Sequence, residues 1–399
     1  MESLKGLKVL DFTQAMSGPV ASMILGDLGA DVIKVEPPAG DQSRSWAPPF
    51  IDDESAYYIS VNRNKKSICM DLKHPDATEI IKKLVEKSDI VIENFRPGTA
   101  KKLGIDYESL KNYNNKIIYC SISGFGQTGP DASMPSYDLI ALARSGLMSI
   151  TGEKNGDPVK FGVPITDITS GLFATISILA ALNYRNITGR GQYIDISMLD
   201  VNSYLLVNQF MNYIATGINP ERLGSAHPSI VPYQVFKAGD DYIAVTVGTE
   251  KLWGLFCSAL NIENLKNNDR FSTNEKRLEN RDELINIINN EFKKYTVDEL
   301  IKKFNEYGIP CSRVNKISDV IMDKQLNYRE MIKDVHFGNK NIKMLNSPFK
   351  MSETPGGIRL MSPRLGEHSR EILKNLGFSD EKIKDLINNK TVSYLMPRQ

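Results

Sequence analysis

The sequence predicts an α/β protein with a large domain, residues 1–215, and a smaller α+β domain, residues 225–325. The large domain is Rossmann-like, because apolar strands alternate with helical segments through the first half of the chain, a pattern that gives a doubly wound, mostly parallel sheet. The smaller domain follows a change of composition to Asn- and charge-rich helices. Residues 326–399 form a linker and C-terminal helices.

The elements of the large domain follow from hydrophobic periodicity. Residues 7–12 and 32–36 are predicted strands, and residues 19–28 between them form a helix with one apolar side, which makes a βαβ unit. A helix then opens at Pro75, since proline is favoured in a first helical turn. The strands that follow are residues 89–95 and 116–125.

The second half of the chain begins with an uncharged helix from Ile168 to Tyr184. A strand at residues 193–198 and an apolar helical stretch at 199–215 come next. Residues 233–248 have a hairpin-like pattern, which predicts two antiparallel strands joined by a turn. The tail reads as two amphipathic helices separated by Gly377, with Ser379 as the N-cap of the second.

Composition and motifs exclude several classes of protein. The formal charge is +1, so the sequence predicts no nucleic-acid partner and no attraction to anionic membranes. The N-terminus has no signal-peptide core, which favours a cytoplasmic location, and the helix from Ile168 reads as buried rather than membrane-spanning. Scattered His and Cys residues suggest no metal site. The turn after the first predicted strand, TQAMSGPVA, contains only Gly18 and lacks the G-x-G-x-x-G spacing that a dinucleotide needs, and the sequence has no G-x-x-x-x-G-K-[ST] phosphate-binding loop.

Asp167 is the residue that stands out chemically. It lies in GVPITDITSG, at the start of the long uncharged helix. One interpretation is a helix N-cap, which Asp commonly provides. The other is a nucleophile, because helix N-terminal N–H groups that favour a carboxylate also suit an oxyanion formed when it attacks an acyl carbon.

Segments spread over nearly the whole chain resemble the class III CoA-transferases, the family of formyl-CoA and carnitine-CoA transferases. They include LKVLDFTQAMSGP, NRNKKSICMDLK, ENFRPG, SGFGQTGP, TGRGQYIDISMLD and LGEHSREIL, in family order. The resemblance implies that Asp167 forms covalent anhydride and CoA-thioester intermediates, with an acyl-CoA and a carboxylic acid as substrates and no permanently bound cofactor. It also implies an interlocked homodimer whose C-terminal segment returns to the large domain.

The resemblance further implies which residues contact CoA. These positions are Leu72, Lys73, Asn94, Phe95, Arg96, Lys102 and Tyr137. Lys102 stands where the formyl-CoA branch has arginine, so the phosphate contacts differ from that branch. Taken singly, Lys73 and Lys102 also fit ordinary solvated lysines.

The expected acceptor is a 2-hydroxy acid, (R)-2-hydroxyisocaproate, because the chain looks most like transferases of amino-acid-fermenting anaerobes. Met16 replaces a glutamine of the formyl-CoA branch and is expected either to give the substrate an apolar wall or to pack in the core. The alternatives are another acid (aryl-lactate, carnitine, formate or oxalate), an α-methylacyl-CoA racemase, and a non-catalytic acyl-CoA-binding protein. The racemase is disfavoured because Tyr137 occupies the place of its histidine base.

Overall fold

A computed structural model describes residues 2–394 of the chain. The strands, in chain order, are β1 (Lys8–Asp11), β2 (Asp31–Glu36), β3 (Phe50–Ile51), β4 (Glu54–Ser55), β5 (Lys65–Met70), β6 (Ile90–Glu93), β7 (Ile118–Ser123), β8 (Tyr193–Ser197), β9 (Tyr233–Lys237), β10 (Tyr242–Thr246), β11 (Cys311–Arg313), β12 (Ile332–Phe337), β13 (Lys340–Leu345) and β14 (Val392–Ser393).

The α-helices are α1 (Ser17–Asp27), α2 (Ala56–Val61), α3 (Ala77–Glu86), α4 (Thr99–Lys102), α5 (Tyr107–Leu110), α6 (Asp138–Arg144), α7 (Ile165–Thr188), α8 (Met198–Tyr204), α9 (Val207–Thr216), α10 (Glu250–Leu260), α11 (Glu263–Lys266), α12 (Asn274–Glu279), α13 (Arg281–Phe292), α14 (Val297–Glu306), α15 (Ile317–Met322), α16 (Lys324–Tyr328), α17 (Ser369–Asn375) and α18 (Asp380–Asn388).

The central sheet has the strand order β14-β5-β2-β1-β6-β7-β8. Every neighbouring pair is parallel except β14 with β5. The predicted large, mostly parallel sheet is therefore confirmed. Strand β5 was not among the predicted strands, and its first residues are lysines. Lys65 is nevertheless buried, with its Nζ 3.2 Å from an Asp11 carboxylate oxygen.

Helices cover both faces of this sheet, as a doubly wound fold requires. One face packs against α1 and α7, and the other against α3, α17 and α18. The α1–α7 contact is close because Gly171 has no side chain: a Cβ there would lie 2.7 Å from the Ser17 carbonyl oxygen. This close approach brings the first turns of the two helices together.

Two local predictions about helices need correction. The long helix begins at Ile165 rather than Ile168, so Asp167 lies inside its first turn. The apolar stretch 199–215 is two helices, α8 and α9, because Val207 has φ 33°, outside the right-handed helical region.

Helix α7 is long and apolar enough to cross a bilayer by length and composition. One side of it packs into the core through Ala174, Ile178 and Ala181. That packing is what the sequence analysis expected of a core helix, and such helices pass the same test of length and composition.

The chain forms two compact units. Among the described residues, the first comprises 2–147, 160–214 and 325–394, and the second comprises 148–159 and 215–324. In the second unit β9, β10 and β11 form an antiparallel sheet with β10 in the centre, which confirms the predicted hairpin at residues 233–248. An aromatic cluster that includes Phe236, Phe256 and Phe292 fills its core.

Candidate active site

Asp167 lies in the first turn of α7, as the third residue of a helix that begins at Ile165, directly after Pro164. It does not cap the helix. The capping carboxylate belongs to Asp138 at the start of α6, whose Oδ1 accepts hydrogen bonds from the backbone N–H groups of Thr166 at 2.9 Å and Asp167 at 3.4 Å. The N-cap interpretation of Asp167 is therefore wrong, and its side chain is left for other contacts.

The expectation that helix N–H groups face an oxyanion is also wrong. The N–H of Ile165 donates to the Val163 carbonyl oxygen at 2.8 Å, and the next two N–H groups donate to Asp138. Since these donors are already occupied within the protein, an oxygen on a substrate has to find its hydrogen bonds elsewhere in the site.

The electrostatic surroundings of Asp167 raise its proton affinity. Burial and then the nearby carboxylate of Asp138 raise the pKa of Asp167 from 3.8 to about 7, although a hydrogen bond from the Ser17 hydroxyl lowers it. Burial, and next the charges of Asp167 and Asp138, raise the pKa of Tyr57 to about 12, so the phenol beside the two acids stays neutral. A carboxylate held this way is a better nucleophile than an ordinary solvated Asp when it is ionised.

The β1–α1 turn, which leads into Ser17 at the start of α1, is held in place by a buried ion pair. The Nζ of Lys34 lies 2.7 Å from the Asp41 carboxylate, both side chains fully buried, and donates to the Thr13 carbonyl oxygen at 2.7 Å. Asp41 in turn accepts the N–H of Ala15 at 3.0 Å, which holds Ala15 at φ 67°. This left-handed conformation is costly for alanine, so the buried pair defines the path of the turn toward Asp167.

Hydrogen bonds also connect the β1–α1 turn to the loop after β6. The Asn94 side chain accepts from the Gln14 N–H at 2.9 Å and donates to the Gln14 carbonyl oxygen at 2.8 Å. Its neighbour Glu93 accepts from the Phe95 N–H at 2.8 Å and from the Ser121 hydroxyl. Burial raises the pKa of Glu93 to about 7, against the effect of these hydrogen bonds.

These segments line a cleft of about 300 Å³ at the carboxyl edge of the sheet. Of the residues singled out in the sequence, the cleft brings together Asn94, Phe95, Arg96, Tyr137 and Asp167. Arg96 and Tyr137 are exposed, and the Tyr137 hydroxyl lies 3.5 Å from the Gln42 side-chain oxygen.

The other predicted residues lie outside the lining of this cleft. Leu72 is partly buried and packs against the core, and Lys73 and Lys102 are exposed to solvent. Met16 is 7% exposed and packs in the core beside α7, so the core role is the one its position supports. The turn presents Gln14 and Ser17 to the cleft instead.

Sequence reasoning missed several residues that shape the site. Ser17 and Asp138 contact the first turn of α7, and Asp41 holds the turn that carries Ser17. Ser17 falls inside the LKVLDFTQAMSGP segment, and Asp138 directly follows Tyr137 in the chain, so their positions were available as a signal but not their contacts. Within residues 2–394, no cluster of three or more His, Cys, Asp or Glu side chains is suited to a metal ion.

Fold and cleft together define an α/β protein with a strongly perturbed carboxyl group at a helix start. Residues 4–369 match CoA-transferase family III, and the chain belongs to that family. The predicted class III (CaiB/BaiF-type) CoA-transferase is confirmed as the class of enzyme, with a CoA thioester as co-substrate.

Individual relatives cover almost the whole chain. Succinate–glutarate CoA-transferase of Agrobacterium fabrum is 40% identical over 381 residues, which are 94% of this chain and 95% of that protein. Succinyl-CoA:mesaconate CoA-transferase of Haloarcula hispanica is 38% identical, over 94% of this chain and 97% of that protein.

Among solved structures, a CaiB/BaiF family protein from Brucella suis has a TM-score of 0.86 and 40% identity, and covers 94% of this chain and 99% of that one. None of these relatives is named for 2-hydroxyisocaproate. The alternative of another acid is therefore supported better than the expected 2-hydroxy acid.

Proposed function

We propose that this enzyme transfers CoA between dicarboxylic acids, with succinyl-CoA as donor and glutarate or a similar short dicarboxylate as acceptor. The observation that carries the proposal is 40% identity to a succinate–glutarate CoA-transferase over nearly the full length of both chains. The mesaconate relative also acts, by its name, on an unsaturated dicarboxylate with succinyl-CoA. Dicarboxylate exchange is the activity common to both names.

The side chains around the cleft support this acid class over a branched aliphatic one. The apolar wall expected from Met16 is absent from the lining, and Gln14 and Ser17 of the same turn take its place. A second carboxylate needs hydrogen-bond donors when it leaves water, and the side-chain amide of Gln14 can supply one, whereas an isobutyl group needs apolar contacts.

In the proposed reaction the ionised Asp167 attacks the thioester carbon of succinyl-CoA, forming a mixed anhydride and releasing CoA thiolate. The thiolate attacks the Asp167 acyl carbon, which frees succinate and leaves an aspartyl-CoA thioester. Glutarate attacks that thioester to give a second anhydride and CoA thiolate. The thiolate then attacks the glutaryl carbon, which yields glutaryl-CoA and restores Asp167.

The surrounding residues have positioning roles in this scheme. Ser17 orients the Asp167 carboxylate by donating a hydrogen bond, and Asp138 holds the first turn of α7 while it raises the pKa of Asp167. Asn94, Phe95, Arg96 and Tyr137 are proposed to contact CoA from the open side of the cleft. Leu72, Lys73 and Lys102 are proposed to contact its more distant groups.

We further propose that the enzyme is a homodimer of interlocked chains. Helix α9 exposes a row of large apolar side chains: Val207, Phe210, Met211 and Ile214 are each 54–63% exposed. Exposed apolar patches of this kind mark interaction surfaces, and a second copy of the chain is the proposed occupant. Multi-angle light scattering at micromolar concentration should give twice the chain mass of 44.7 kDa. A monomer would contradict the proposal.

The activity is tested by mixing the enzyme with succinyl-CoA and one acid at a time, and measuring acyl-CoA products by mass spectrometry. Glutarate should give glutaryl-CoA faster than 2-hydroxyisocaproate gives its thioester. Asp167→Asn keeps the shape of the side chain and should abolish turnover. Hydroxylamine added during turnover should convert Asp167 to a hydroxamate, and labelling at another carboxylate or full activity of the variant would refute its role.

A further inference from the structure

Ser123 is the last residue of β7, at the carboxyl edge of the central sheet, where open α/β sheets bind their ligands. The residue is 6% exposed, and its Oγ has no hydrogen-bond partner within residues 2–394. Buried hydroxyl groups in proteins are normally hydrogen-bonded, because losing water without a replacement partner destabilises the folded state. An unpartnered hydroxyl at this place therefore calls for an explanation.

Comparable serines at the same edge are satisfied by the protein. Ser121 donates to Glu93 one strand away, and Ser197, which lies opposite Ser123 in β8, accepts from the Asp200 N–H at 3.1 Å as the cap of α8. Ser123 differs from both in lining the cleft that contains Asp167. Ser123 thus combines an unpartnered, desolvated hydroxyl with a place in the lining of the space where a substrate would bind.

An oxygen on the reacting carbon needs a hydrogen-bond donor, and the hydroxyl of Ser123 can supply one. The first N–H groups of α7 donate to Val163 and Asp138, so they do not offer hydrogen bonds to an oxygen on the reacting carbon. That oxygen is a hydrogen-bond acceptor in the thioester, in each anhydride and in the free carboxylate. A hydroxyl donor that is already desolvated serves all these species without reorganisation.

We propose that Ser123 is a substrate-contacting residue, whose hydroxyl donates a hydrogen bond to an oxygen of the acyl group that Asp167 exchanges. The proposal rests on the proposed CoA-transferase function and adds a specific contact to it. The acyl group, rather than CoA, is the proposed partner because Ser123 is buried, whereas the proposed CoA contacts Arg96 and Tyr137 are exposed.

The test compares Ser123→Ala with Ser170→Ala. Ser170 is a matched control, since its Oγ is also buried without a hydrogen-bond partner in the described chain but it does not line the cleft. Ser123→Ala should lower kcat/KM for succinyl-CoA and glutarate by about 10- to 100-fold, the range for a hydrogen bond to a charged or charge-developing group. Its melting temperature should equal or exceed that of wild type, because no protein hydrogen bond is lost.

Equal kcat/KM for Ser123→Ala and wild type would overturn the proposal. So would a clear drop in melting temperature, which would reveal a structural role for the hydroxyl, or an equal loss of kcat/KM in Ser170→Ala.

A binding measurement separates this proposal from the proposed reaction. In an Asp167→Ala background, which prevents turnover, calorimetry should show that adding Ser123→Ala weakens succinyl-CoA binding while CoA binding is unchanged. This result supports the contact even if wild type fails to use glutarate. Unchanged succinyl-CoA binding, an equal loss for CoA, or no succinyl-CoA binding at all would overturn it.

Discussion

The raised pKa of Asp167 predicts a distinctive pH dependence of the transferase. The nucleophile must be ionised, and its pKa in the free enzyme is about 7 rather than 3.8. This shift corresponds to a difference on the order of 4 kcal/mol between the two protonation states, mostly from burial. As pH falls below 7, the carboxyl takes up a proton and the attacking form is lost.

The expected magnitude follows from the fraction of Asp167 that is ionised. With a pKa of about 7, roughly a tenth of it is ionised at pH 6 and a hundredth at pH 5, so kcat/KM should fall about tenfold per pH unit there. An Asp with the ordinary pKa would give a flat profile from pH 5 to 8. Steady-state rates with succinyl-CoA and glutarate at constant ionic strength measure the profile.

Two variants assign this inflection to Asp167. Asp138→Asn removes the neighbouring charge but keeps an oxygen that can accept from Thr166, so the inflection should move to lower pH yet stay above 4, since burial is the larger cause. Glu93→Gln is the control, because burial also raises the pKa of Glu93 to about 7. A flat wild-type profile, or an inflection abolished by Glu93→Gln alone, would refute the reasoning.

Two further predictions concern stability. Gly171→Ala places a methyl group 2.7 Å from the Ser17 carbonyl oxygen, so urea denaturation should show a free energy of unfolding that is lower by about 1–3 kcal/mol, and kcat should fall. Gly248→Ala is the control, because a Cβ there meets nothing within 4 Å; it should change neither quantity. Equal behaviour of the two variants would argue against a tight helix contact. Asp27→Ala leaves Arg63 buried without its carboxylate, now 2.6 Å away, and should cost about 3–5 kcal/mol by the same measurement; a loss below about 1 kcal/mol would contradict this.

The local pattern of the sequence was enough to predict most of the central sheet. Strands β1, β2, β6, β7 and β8 contain apolar residues bounded by turn signals, and their alternation with helices predicts a parallel arrangement. Strand β5 was not predicted, because a lysine such as Lys65 is usually a surface residue. The sequence does not show that Asp11 lies beside Lys65 in the folded protein. A charge that is paired across the fold cannot be distinguished from a solvated one by local pattern.

The sequence by itself determined the family, the strand–helix order and the position of Asp167, since motifs, periodicity and a helix start are properties of neighbouring residues. Only the tertiary structure decided that Asp138 caps the helix, that Ser17 contacts Asp167, and that Ser123 lacks a partner. These contacts join residues far apart in the chain, through helix packing and strand order. Their distances and burial set the pKa of the carboxyl group, and no local pattern contains either quantity.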